Sequence, residues 1–175
     1  MRNKLFRYSV TGFIFVGIFG TLAHFFYEWS GYNKLVGLFC AVNESSWEHL
    51  KLLFFPYFVW SLIEYLLLKR DKCVFFSKAV GAFVGMISVL AFFYTYTGII
   101  GKNIDWLNIL SFFLGEFIAF LIDYIMIKTN KFCNVAYNSI GIGFFIFTSI
   151  LFILFSFMPP LIPLFKDPIS QSYGI

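Results

Sequence analysis

The sequence predicts an all-α integral membrane bundle of about five transmembrane helices, a single domain over residues 1–175, with the N-terminus inside and the C-terminus outside. Three observations predict it. Only 13% of the residues are charged and 60% are hydrophobic, with a mean hydropathy of +0.83; a soluble domain carries about 25% charged residues to face water. Five apolar runs reach roughly the 20 residues needed to cross the hydrocarbon core. Lysines and arginines sit at the ends of those runs and are biased to one side, as membrane topology requires. No water reaches the bilayer core, so each run has to be helical for its backbone hydrogen bonds to close internally.

The first run, about 8–29, follows Arg2, Lys4 and Arg7 and has the outline of a signal peptide. Its apolar stretch continues through Phe25 to Trp29 without an A-x-A cleavage site, which marks a retained span. Residues 35–42 are apolar but too short to cross, and are expected as a short re-entrant or interfacial segment. The second span is about 50–68, the third about 73–100, the fourth about 106–127 and the fifth about 135–158. Pro159, Pro160 and Pro163 stop the last helix and leave an irregular tail outside. With the N-terminus inside, Arg2, Lys4, Arg7, Lys69, Arg70, Lys72, Lys78, Lys128 and Lys131 lie on the inner side. Only Lys34, Lys51, Lys102 and Lys166 are then outside. Trp29, Trp47 and Trp106 fall near the outer boundaries, where an amphipathic indole is comfortable. Gly81 with Gly85, Gly17 with Gly20, and Ser139, Gly141 and Gly143 mark faces where helix backbones approach closely.

The net charge of +4 is spread over span ends rather than gathered into a stripe, so it does not suggest nucleic acid as a partner. No P-loop, nucleophile elbow or dinucleotide fingerprint is present, which argues against nucleotide-driven chemistry. The 27 Phe are spread along every span and reflect composition rather than an aromatic cage. Cys40, Cys73 and Cys133 show no C-x-x-C spacing, so all three read as small apolar residues rather than as a disulfide or zinc framework.

The polar residues concentrate at 43–51, between two apolar runs. Ser45-Ser46-Trp47-Glu48 fits a capping box, in which Ser45 caps the helix and Glu48 reaches back to a free backbone amide. Lys51 can pair with Glu48 at the i, i+3 spacing. Capping needs neither His49 nor the second H-x-x-x-E element at His24 and Glu28. His24, Glu44, Glu48 and His49 are therefore the candidate ligands of a divalent metal such as zinc, which accepts imidazole nitrogen and carboxylate oxygen. Asn43, Ser45, Ser46 and Lys51 are the candidate binding residues around it, and Glu48 is the candidate general base.

The stretch N-E-S-S-W-E-H-L-K followed by Leu52, Leu53, Phe54, Phe55 and Pro56 resembles the hallmark of a family of small bacterial membrane proteins known only as a domain of unknown function. Gly20 to His24, as G-x-x-x-H in the preceding span, belongs to the same resemblance, which covers essentially the whole chain. It implies a shared polar site at the start of the second span and a place in the bacterial cytoplasmic membrane. It implies no activity.

Three carboxyl groups lie within spans: Glu64, Glu116 and Asp123. A carboxyl group in the bilayer is expensive and faces the bundle interior or a water-filled cavity. Glu64 and Asp123 have Lys69 and Lys128 about a turn onward, with Tyr65, Tyr124 and Asn138 at the same level as expected partners. Glu116 is the deepest and is the second candidate catalytic residue, with Ser111 and Asn108 outward of it on the same helix. Three functions fit these residues. One is a metal-dependent membrane hydrolase or lipid-modifying enzyme. Another is a small transporter or ion-coupled carrier, although no internal repeat supports it. The last is a non-catalytic membrane subunit whose motif docks a lipid headgroup or an unidentified partner protein.

Overall fold

The computed structural model describes residues 2–69 and 71–175, so Arg70, expected on the inner side, lies outside the described residues. Among the described residues the chain is helical, without strands. The helices are α1 (Arg2–Trp29), α2 (Lys34–Gly37), α3 (Ser46–Leu67), α4 (Val74–Ile100), α5 (Asp105–Thr129) and α6 (Val135–Phe157), followed by a 3-10 turn at Pro163–Phe165. All but α2 are long and apolar enough to cross a membrane, and the chain is a multi-pass membrane protein. Two boundaries differ from expectation: α1 begins at Arg2 rather than near 8, and α3 begins at Ser46 rather than near 50. In both cases the helix runs on into its polar flank, and at α3 the Ser45 cap sets the start.

The long helices run up and down, so their ends gather at two faces. One face holds the N-termini of α1, α4 and α6 and is rich in lysine; it is the basic end. The other holds residues 30–46, the 101–104 turn and the tail; it is the site end. Helix α3 is the central post, packed against α1, α4 and α6, while α4 and α5 form the closest pair. That closeness has a local cause. A Cβ on Gly85 would stand 2.7 Å from the carbonyl oxygen of Gly115, and one on Gly81 would stand 2.6 Å from that of Ala119. The G-x-x-x-G of the third span is thus a helix contact. Gly20 meets the Leu52 carbonyl and Gly141 meets the Phe75 backbone, whereas Gly143 faces open space.

The core is aromatic. Phe54 lies among Phe55, Phe58, Phe145 and Phe152. Trp47 belongs to this layer and not to an interfacial belt: its indole packs on Phe152, Phe155 and Phe165. Trp29 and Trp106 are exposed, as interfacial anchors should be.

The tail is more ordered than its prolines predict. Phe165 is buried under Trp47, an isolated bridge pairs Lys166 with Tyr173, and the Ile175 amide donates to the Ser156 carbonyl at 2.9 Å. The Asn43 amide donates to the Gly174 carbonyl at 3.2 Å, which ties the tail to the start of α3.

The cysteines require a correction. Cys73 and Cys133 form a disulfide with their Cα atoms 4.1 Å apart. They are sixty residues apart in sequence, but the α3–α4 and α5–α6 connections meet at the basic end. Cys40 is the buried small residue expected, and burial pushes its thiol above the ordinary range.

Candidate metal centre at the site end

Two polar groups sit side by side at the start of α3 and face different neighbours. The first is structural. Ser45 caps α3, its Oγ accepting from the Glu48 amide at 3.3 Å. The return half of the box differs from expectation. The Ser45 amide donates to Asn43 Oδ1 at 3.0 Å, and Glu48 reaches further back to the Val42 amide at 3.1 Å. Glu48 also accepts from Ser156 Oγ at 3.0 Å and pairs with Lys51 at 2.7 Å. Lys51 is fully buried and donates to the Gly37 carbonyl at 3.0 Å and to Ser156 Oγ. This cluster clamps the α2 turn and α6 onto α3.

The second group is His24, Glu44 and His49. Each offers one ligand atom, and those atoms all lie within 4.8 Å of one another. His24 Nε2 is 3.6 Å from Glu44 Oε1, and His49 Nε2 is 3.4 Å from Glu44 Oε2. These separations are longer than a good hydrogen bond. The edge of a zinc tetrahedron is about 3.3 Å when ligands stand about 2.0–2.1 Å from the ion; the two contacts use different Glu44 oxygens, so a bound ion would draw the three side chains closer together. His49 Nδ1 lies 3.0 Å from the Ser45 carbonyl. A carbonyl only accepts, so Nδ1 carries a hydrogen, and Nε2 is the nitrogen turned toward Glu44 and His24. Metal-binding histidines are oriented by this kind of outer hydrogen bond. The three side chains are partly exposed, at 30% for the histidine and 40% for the glutamate of each pair.

Below the group lies a cavity of about 60 Å³ between α3, α4 and α5, room for a few water-sized molecules. Glu44, Ser46 and His49 form its mouth, and Asn103, Asn108 and Ser111 supply polar walls. Tyr96 fixes the two asparagines, donating to Asn103 Oδ1 at 2.8 Å and also contacting Asn108.

The structure therefore separates residues that the sequence groups. His24, Glu44 and His49 converge; Glu48 does not join them, because its oxygens are held by Val42, Lys51 and Ser156. Glu28, one turn from His24, is outside the group as well. Among the proposed binding residues, Asn43 and Ser45 serve the turn, Lys51 is sealed, and Ser46 lines the cavity. Ser156, Asn103 and Tyr96 carry no local sequence signal, and only their proximity in the fold reveals them.

Glu116 lies on α5 opposite Gly17 of α1, where a Cβ on the glycine would stand 3.5 Å from Oε2. It is fully buried, and neither oxygen has a hydrogen-bond partner. A buried polar group without a partner costs about 1–3 kcal/mol. Glu116→Met, of similar volume, is accordingly expected to raise the thermal midpoint in detergent. A lower midpoint would show that the carboxyl group has a stabilising partner. Glu64 and Asp123 do not use Lys69, Lys128, Tyr65, Tyr124 or Asn138. Both pair with Lys78 of α4, at 2.7 and 2.6 Å, and Tyr57 donates to Asp123. Lys78, expected at the inner surface, is fully buried.

The model of a family of unknown function (DUF6512) covers residues 2–175, and the chain belongs to that family. No curated protein and no solved structure matches the chain.

Proposed function

We propose that this member of a family without an assigned activity is a metal-dependent membrane enzyme that hydrolyses or modifies lipid-linked substrates at the outer membrane face. The observation that carries the reading is the convergence of His24, Glu44 and His49 beside a polar cavity. Two imidazoles and one carboxylate form a donor set used by catalytic zinc, which keeps a further position open. A divalent ion there would supply Lewis-acid activation of water and of an acyl or phosphoryl oxygen. Around it the chain's own residues divide the work. Ser45 orients His49, Glu44 bridges the two histidines, and Asn103, Asn108 and Ser111 offer polar contacts to whatever enters the cavity. The exposed apolar surface of the spans lets a lipid approach from the side.

Metal content by elemental analysis tests this. Protein purified in mild detergent without chelator is expected to hold about one divalent ion per chain. No bound metal, even after zinc is supplied, overturns the enzyme reading. A small carrier then takes its place, for which the unpartnered carboxyl of Glu116 is the supporting observation.

The orientation is part of the same proposal. With the basic end in the cytoplasm, the Cys73–Cys133 bridge lies where thiols are kept reduced, so the pair would stay open in the cell and close to the disulfide of the structure only on oxidation. Rapid acid quenching and alkylation of cells making the protein is expected to find both cysteines as free thiols. A bridge already closed in those cells would reverse the orientation.

A further inference from the structure

The buried charges of α3, α4 and α5 do not balance. Lys78 brings one ammonium, at 2.7 Å from Glu64 Oε2 and 2.6 Å from Asp123 Oδ2. All three side chains are fully buried. If both carboxyl groups were ionised, a net charge of −1 would be sealed among apolar helices. The unpaired buried charge is the costly part of any ion cluster, and groups so placed neutralise instead.

Donors surround one oxygen of each carboxyl group only. Trp60 Nε1 donates to Glu64 Oε2 at 3.1 Å, and the Tyr57 hydroxyl donates to Asp123 Oδ2. The other oxygens, Glu64 Oε1 and Asp123 Oδ1, are buried without any partner. An unpartnered carboxylate oxygen beside an excess negative charge is a place for a proton. The ammonium reaches both carboxyl groups, and each has one further donor, the Trp60 indole on Glu64 and the Tyr57 phenol on Asp123, so the proton belongs to the pair. Helix α1 presents Gly12 to the Trp60 ring, and no other ion pair reaches the cluster among the described residues.

We propose that Glu64, Lys78 and Asp123 form an intramembrane proton-binding site that holds one exchangeable proton on its carboxyl pair. The proton comes from water at the basic end. Glu64 is three residues from the end of α3 and Asp123 six from the end of α5, or about 5–9 Å at 1.5 Å per residue. The site is separate from the metal centre and does not depend on it.

Infrared spectroscopy of the protein in lipid nanodiscs at neutral pH tests the proposal through the carboxylic C=O band. The wild type is expected to show two neutral acids per chain, Glu116 and the cluster proton. Glu116→Gln should leave one. In Glu64→Gln, and equally in Asp123→Asn, the remaining carboxylate pairs one-to-one with Lys78, so either change should halve the wild-type band. Lys78→Met removes the ammonium and should add a third acid. The cluster band should move on transfer to D₂O. Should the amide variants misfold, the Glu116→Gln protein decides alone, because it leaves the cluster untouched. A band that vanishes in Glu116→Gln, or one that never exchanges, overturns the proposal. So does a cluster band that grows when sodium is removed, which would assign the site to an alkali cation.

Discussion

Replacing Glu48 with alanine is expected to cost about 3–5 kcal/mol, because it strands the Lys51 ammonium in a sealed site. Lys51 has no route to water: it is fully buried, and its other partners are the Gly37 and Cys40 carbonyls and Ser156 Oγ. Among the described residues Glu48 is the one carboxylate paired with it. The same carboxylate holds the Val42 amide and Ser156, so its loss also frees the turn after α2 and the C-terminal end of α6. The expected readout is a large fall in thermal midpoint in detergent, with protease sensitivity appearing between residues 30 and 45. Removing both charges with Glu48→Gln and Lys51→Met should recover much of the loss, since a buried ion pair replaced by apolar or neutral groups of similar volume is often tolerated. An alanine variant as stable as the wild type would show that Lys51 finds water, and the clamp would not exist.

Glu44 stands four residues away and predicts the opposite pattern. Glu44→Gln, His24→Ala and His49→Ala remove ligands from a partly exposed group, so the fold should survive and the metal should not. Losing an outer-shell partner alone costs a metal site about 10–100-fold in affinity; losing one of three ligands should exceed 100-fold. Titration with zinc reads this directly, beside a thermal scan that shows the bundle intact. A Glu48 variant that still folds, such as the double substitution, should bind metal as the wild type does. If it loses the ion while Glu44→Gln keeps it, the ligand set is different from the one drawn here. Both Glu44 and Glu48 are carboxylates at helical spacing in one short motif, and only the direction each faces separates a ligand from a clamp.

The contrast between these two residues shows how far sequence reasoning reaches. Five apolar runs announce five membrane helices because hydropathy is a local property, summed over about 20 residues. The Ser45 cap, the Lys51–Glu48 pair and the polar density at 43–51 were equally legible, since each depends on residues within a turn or two. Cys73 and Cys133 were not. Nothing near either one signals a partner sixty residues away, and only the meeting of two connections at the basic end brings them together. Lys78 is the clearest loss. Five residues into an apolar run, it looks like a side chain that snorkels to the surface, yet it is buried between carboxylates from two other helices.

By itself, then, the sequence determined the membrane, the helices and the end of the bundle where polar chemistry gathers. The tertiary structure alone decided which polar groups share a site. Helices that are apolar on nearly every side carry little amphipathic signal to say which face turns inward. Their facing is set by close backbone approach at Gly81, Gly85 and Gly115 and by aromatic packing around Phe54. Those contacts place His24 of α1 against His49 of α3, and Lys78 of α4 between Glu64 and Asp123.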